Sequence, residues 1–146
     1  MNKISKRLGA LVASFALILV PTIAHASSAS PTPKPDSPTY FRTSALGNLS
    51  DMKKDVNDAR VALEKGGTWK LLGNAAEIAF NVGQLEALNP PTVYAKNWSK
   101  QVIALDSLSD KFMDSISNGS VANTKSILSN MIKQIKTMES YVKKVK

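Results

Sequence analysis

From about Thr43 to the C-terminus, apolar residues return every three or four positions in four separate runs. The first is Ala45, Leu49, Met52, Val56, Ala59 and Leu63, and the second Leu71, Ala75, Ile78, Val82 and Leu85. The third is Ala95, Trp98, Val102, Leu105, Ser109, Phe112 and Ile116, with Ser109 out of type. The last is Val121, Thr124, Leu128, Met131, Ile135, Met138, Val142 and Val145. Alternating steps of three and four keep one stripe on one face of an α-helix, and no run alternates as a strand does.

The breaks between the runs are helix punctuation. "EKGGT" supplies glycines to end the first helix and Thr68 to cap the second. "ALNPPT" ends the second, because a residue before proline avoids the helical region, and Pro91 suits a first turn. "SNGSVAN" offers Gly119 as a stop and Ser120 as a start. Connections this short make neighbouring helices antiparallel. The predicted fold is all-α, an antiparallel up-and-down four-helix bundle over residues 43–146.

The N-terminal part differs in kind. "MNKISKR" is basic, "LGALVASFALILV" is uncharged and apolar, and Ala24-His25-Ala26 has the small-x-small form of a cleavage site. Together they read as a secretory signal peptide over 1–26, and the apolar run is shorter than the ~20 residues of a membrane span. An uncleaved anchor is the competing reading. Residues 27–42 include Pro31, Pro33, Pro35 and Pro38 among serines and threonines, the composition of a disordered linker. The expected mature chain starts at Ser27, has no transmembrane helix, and is secreted or held in the periplasm or cell envelope.

Processing changes the chemistry. His25 is the only histidine and there is no cysteine, so the mature chain has neither. Disulfides, thiolate metal sites and the usual nucleophile–base pairs are excluded. Removing Lys3, Lys6 and Arg7 leaves 16 basic and 11 acidic side chains, a net charge of +5. Nucleic-acid binding is disfavoured, since only Arg42 and Arg60 remain for bidentate base contacts and the protein is expected to be exported.

"LSDMKKDVNDARVALEKGG", "LEALNPP" and "YVKK" resemble the cytochrome b562-like bundles over most of Leu46 to Lys144. That resemblance implies a small periplasmic bundle holding one haem between a methionine of the first helix and a histidine of the last. Met52 falls at the methionine position and is the candidate cofactor ligand, but Val142 stands where the histidine belongs. Haem iron takes a strong axial donor. Haem-based electron transfer in the family manner is therefore not expected, no cofactor is assigned, and Met52 reads first as core. Tyr141 is a lesser substitute ligand.

Carboxylates at Asp51, Asp55 and Asp58, and at Asp106, Asp110 and Asp114, line helix surfaces. A straight ladder does not wrap a cation, so they read as solvated faces, with Lys54–Asp58 and Arg60–Glu64 spaced for ion pairs. No catalytic or metal site is assigned. Lys133, Lys136, Lys143 and Lys144 share the outward face of the last helix, a solvated face or a contact for an anionic envelope polymer or lipid headgroups. The sequons at Asn48, Asn97 and Asn118 matter only in a eukaryotic secretory pathway.

The second helix is the exception. Opposite its core stripe it carries Trp69, Gly73, Ala76, Phe80, Gly83 and Ala87, with polar residues confined to the flanks. A helix apolar nearly all round is normally covered on more than one side. Three covers are open: the segment around Tyr40 and Phe41 folding back, a second copy of the chain, or another protein or apolar ligand. The expected role is a secreted, non-catalytic bundle that binds a partner at the cell surface or envelope. A b562-like carrier of haem or another apolar ligand is the alternative, and an enzyme without a recognisable site a distant third.

Overall fold

The computed structural model describes residues 34–146, and the signal-peptide reading and residues 27–33 of the linker lie outside them. Four helices follow one another: α1 (Pro38–Glu64), α2 (Thr68–Glu86), α3 (Thr92–Ser117) and α4 (Val121–Val142). α1 and α3 each pack against both α2 and α4, while the diagonal pairs α1/α3 and α2/α4 make no close backbone approach. This is the expected all-α four-helix bundle, with one helix at each corner.

The corners turn where the glycines are. Gly66 (φ 69°) and Gly119 (φ 65°) occupy the left-handed region that L side chains avoid. After α1, the Gly66 N–H donates to Leu63 O (3.2 Å) and the Gly67 N–H to Ala62 O (2.9 Å). After α3, Gly119 and Ser120 donate likewise to Ile116 O (3.1 Å) and Ser115 O (3.2 Å). Both are Schellman closures, which satisfy carbonyls that the helix end leaves unpaired. The starts are plainer than expected. Gly67 rather than Thr68 precedes α2, and Pro91 precedes α3 instead of entering its first turn. Ser120 precedes α4 without a side-chain cap.

α1 begins inside the segment read as linker. Ser37 caps it by accepting from the Tyr40 N–H (3.2 Å), and Pro38 occupies the first turn. Proline is favoured there because its missing N–H has no helical partner. Asp36 fastens the chain just before this cap: its N–H donates to Asn89 O (2.7 Å), and its carboxylate accepts from the Asn89 N–H (2.8 Å). The ordered bundle therefore starts earlier than residue 43, and the linker boundary at 42 is too late.

The four inward stripes form one apolar core. Phe41 extends the first stripe by one turn, fully buried and edge-on to Trp98 at 4.9 Å between ring centroids. The Trp98 indole N–H donates to Leu85 O (3.3 Å), tying α3 to the last turn of α2. At the α3–α4 end, Ser115 and Thr124 replace apolar residues and satisfy each other. Thr124 Oγ1 lies 2.9 Å from Ser115 Oγ and 2.8 Å from Ser120 O, and Ser115 Oγ donates to Phe112 O (2.8 Å). Helix phase shifts slightly at the ends. Ala62 is buried where Leu63 was expected, and Val121, predicted on the stripe, is exposed.

Candidate docking face on α2

The six residues singled out on the second helix, Trp69, Gly73, Ala76, Phe80, Gly83 and Ala87, are all exposed. Trp69 keeps 86% of its surface open and Phe80 63%. Their positions follow from the α1–α2 turn: the Schellman closure fixes where α2 starts, and the inward stripe Leu71, Ala75, Ile78, Val82 and Leu85 fixes its rotation. Whatever lies opposite that stripe must point away from the bundle. A Cβ added at Gly73 or Gly83 would meet nothing within 4 Å. Packing within the bundle therefore does not require glycine at either position.

Of the three possible covers, the fold-back segment does not serve. Phe41 is spent on the core and Tyr40 is 58% exposed, both within the first turn of α1. Polar groups border the face without entering it: Lys70 and Glu77 on the α1 side, Glu86 on the α3 side, all exposed. A shallow groove of about 660 Å³ runs along the α1 side, lined by residues including Val61, Lys70, Gly73 and Glu77, so it joins the face at Gly73. A second groove, of about 390 Å³, lies between the end of α2 and α3, where Ile103 is exposed.

One polar contact fixes the α1 flank. Asn81, almost fully buried, donates from Nδ2 to Asp55 Oδ2 (2.9 Å). Burial pushes the Asp55 carboxyl above its ordinary pKa; Lys54 pulls it down, while Glu77, Asp58 and Asp51 push it further up. This contact escaped the sequence reading because nothing local links two residues on different helices.

Lys133, Lys136, Lys143 and Lys144 are exposed, and among the described residues none pairs with a carboxylate within 4.0 Å. Lys125 is exposed on the same side of α4 and belongs with them; its eight-residue spacing from Lys133 was the available sign. α4 stands diagonally across from α2, so the basic and apolar faces occupy opposite corners.

Met52, the candidate cofactor ligand, is fully buried in the apolar cluster, as is Val142. Tyr141 has its hydroxyl engaged, donating to Tyr94 O (2.9 Å), and its ring is edge-on to Tyr94. Burial and then Tyr94 hold its pKa above the ordinary value. Asp106 is half-buried and Asp110 and Asp114 are exposed; among the described residues no three His, Cys, Asp or Glu side chains converge where they could hold a metal ion. Lys54–Asp58 forms at 2.9 Å and a long-range Lys53–Glu139 pair at 3.5 Å, whereas Arg60 and Glu64 do not come within ion-pair distance. No described helix is long and apolar enough to cross a membrane. No family model, no curated protein and no solved structure matches the chain.

Proposed function

We propose that this protein is a non-catalytic binding module of the cell surface or envelope, in which the α2 face takes a partner and the α4 lysines rest on anionic material. The observation that carries the reading is the exposure of Trp69 and Phe80 on a face from which every charged side chain is excluded. Isolated exposed apolar residues are ordinary, but a continuous stripe built on a rigid helix is the usual form of a docking surface. Aromatic anchors surrounded by small residues supply both area and close approach. On the opposite corner, the exposed lysines pair with no carboxylate among the described residues and can meet phosphate or carboxylate groups of an envelope polymer or lipid.

The test is retention of the fluorescently labelled chain on envelope preparations of the producing organism. Saturable retention that is lost in Trp69→Ser and Phe80→Ser, with unchanged circular dichroism, supports the reading. Equal retention of wild type and both folded variants overturns it.

A further inference from the structure

The residues of the exposed α2 face are arranged symmetrically about one point of the helix. Trp69 and Ala87 each lie nine residues from Ile78, Gly73 and Gly83 five, and Ala76 and Phe80 two. Each aromatic residue is thus mirrored by an alanine, and each glycine by a glycine. A second α2 laid antiparallel, with a two-fold axis at the level of Ile78, brings these mirrored positions to the same height. We infer that the face is a homotypic interface, and that its occupant is a second copy of this chain in antiparallel register about Ile78. The inference rests on the reading of this face as a docking surface and names its partner.

Packing geometry supports that register. A two-fold axis crossing a pair of antiparallel helices keeps each residue on its own edge of the contact. The Phe80 ring of one copy then enters the space bounded by Gly73, Ala76, Glu77 and Phe80 of the other. Those positions are spaced i, i+3, i+4 and i+7, the hole into which a helical knob fits. The hole is open at Gly73, where an added Cβ would have empty space around it. Trp69 lies over the end of the other helix, against Ala87 and next to Gly83. An aromatic residue at position 76 or 87 would spoil this fit, and alanine occupies both.

Area and charge agree with a second copy. Aromatic side chains bury about 150–250 Å² each, so two Trp69 and two Phe80, at their present exposure, supply most of roughly 1,000 Å². That is the lower bound for a specific interface, where weak, reversible pairs are found. Two copies of a basic protein repel each other, but the lysine face of α4 is diagonal to α2 and is carried to the far sides of the pair. The one like-charge contact is at the edge, where both Glu77 carboxylates come to the same rim close to the axis.

The experiment is sedimentation equilibrium of the purified chain from the low micromolar range to several hundred micromolar, joined to crosslinking. The chain has no cysteine, so an introduced thiol reports alone. The expected result is a reversible monomer–dimer equilibrium that Phe80→Ser and Trp69→Ser abolish without altering circular dichroism, and that Glu77→Gln tightens by about threefold. Under mild oxidation, chains carrying Gly73→Cys and chains carrying Gly83→Cys should crosslink to each other when mixed. Neither should crosslink alone, because each such position lies about 15 Å along the axis from its own copy, ten residues at 1.5 Å. A monomer at every concentration overturns the inference, as does Gly73→Cys crosslinking to itself as readily as to Gly83→Cys. A monomer whose envelope retention still depends on Phe80 would leave the docking face standing and remove only its second-copy partner. A Phe80-dependent dimer whose envelope retention ignores Phe80 would keep the second copy on this face and remove the envelope partner.

Discussion

α2 and α4 stand at opposite corners of the bundle and bury stripes of the same kind, yet they show solvent opposite chemistry. Inside, Ile78 on α2 and Met131 and Ile135 on α4 are completely covered. Outside, α2 presents Trp69, Ala76 and Phe80, whereas α4 presents Lys125, Lys133, Lys136 and Lys143 with serines between. The inward stripe is what a helix needs to join the bundle, and both have it. The outward face is free of that demand, so its composition reflects what it meets in solution. A lysine face is stable in water unaided. An aromatic face is tolerated in water but gains from being covered.

The contrast between the corners can be broken at several points. Replacing Lys133, Lys136, Lys143 and Lys144 together with Gln should weaken binding to anionic vesicles most. Each lysine near such a surface contributes about 1 kcal/mol, so the full set is worth about 4 kcal/mol at moderate ionic strength. Added salt should erode the wild-type binding and leave the variant nearly unaffected, as vesicle cosedimentation would show. On the other corner, Ile78→Ala should lower unfolding stability by about 3 kcal/mol in denaturant titrations, because it empties fully buried volume. Phe80→Ala, on the same helix but facing out, should move monomer stability by less than about 0.5 kcal/mol at low concentration. A large loss there would mean that the outer face is part of the core after all.

The smallest expected effect is on the flank between the corners. The Asp55 carboxyl is held above its ordinary pKa of 3.8, chiefly by burial, with Lys54 opposing and Glu77, Asp58 and Asp51 reinforcing the rise. A carboxyl whose folded pKa exceeds its unfolded one contributes fully below the unfolded value, and that contribution is lost as pH rises through the folded value. Asp55→Asn keeps an acceptor for the Asn81 amide and removes the charge. It should therefore stabilise the bundle near pH 7 by on the order of 0.5 kcal/mol, and the gain should fade as pH falls through the raised folded value and be gone below 3.8. Thermal unfolding of both chains across pH measures this directly.

Periodicity was enough to find all four helices, because burial against two neighbouring helices and the shared core imposes one stripe on each. Gly66 and Gly119 could be placed at the turns because only glycine accepts those backbone angles without strain. The start of α1 was harder to see. Ser37 and Pro38 form a cap and first turn, and Phe41 continues the spacing of Ala45 and Leu49, but the surrounding prolines and serines have the composition of a linker. Composition averages over a window, whereas a cap is made by one or two residues. On the candidate face, the helical wheel placed all six residues outward correctly. The wheel alone could not decide whether Tyr40 and Phe41 cover them, because that depends on where a neighbouring segment goes. Phe41 goes inward, to Trp98. The Asp55–Asn81 and Tyr141–Tyr94 contacts were invisible for the same reason, being set by the register between helices.

Whether the α2 face is open on the isolated bundle is reported directly by Trp69. The chain has two tryptophans, one exposed at 86% and one buried at 3%, so subtracting the fluorescence of Trp69→Phe from that of the wild type isolates the outer indole. In dilute solution an open face gives a red-shifted emission, quenched freely by acrylamide, that shifts to the blue and loses quenching as rising concentration brings two copies together. A blue, protected Trp69 on a chain that sediments as a monomer would show that the chain covers its own face, and would refute the open docking face.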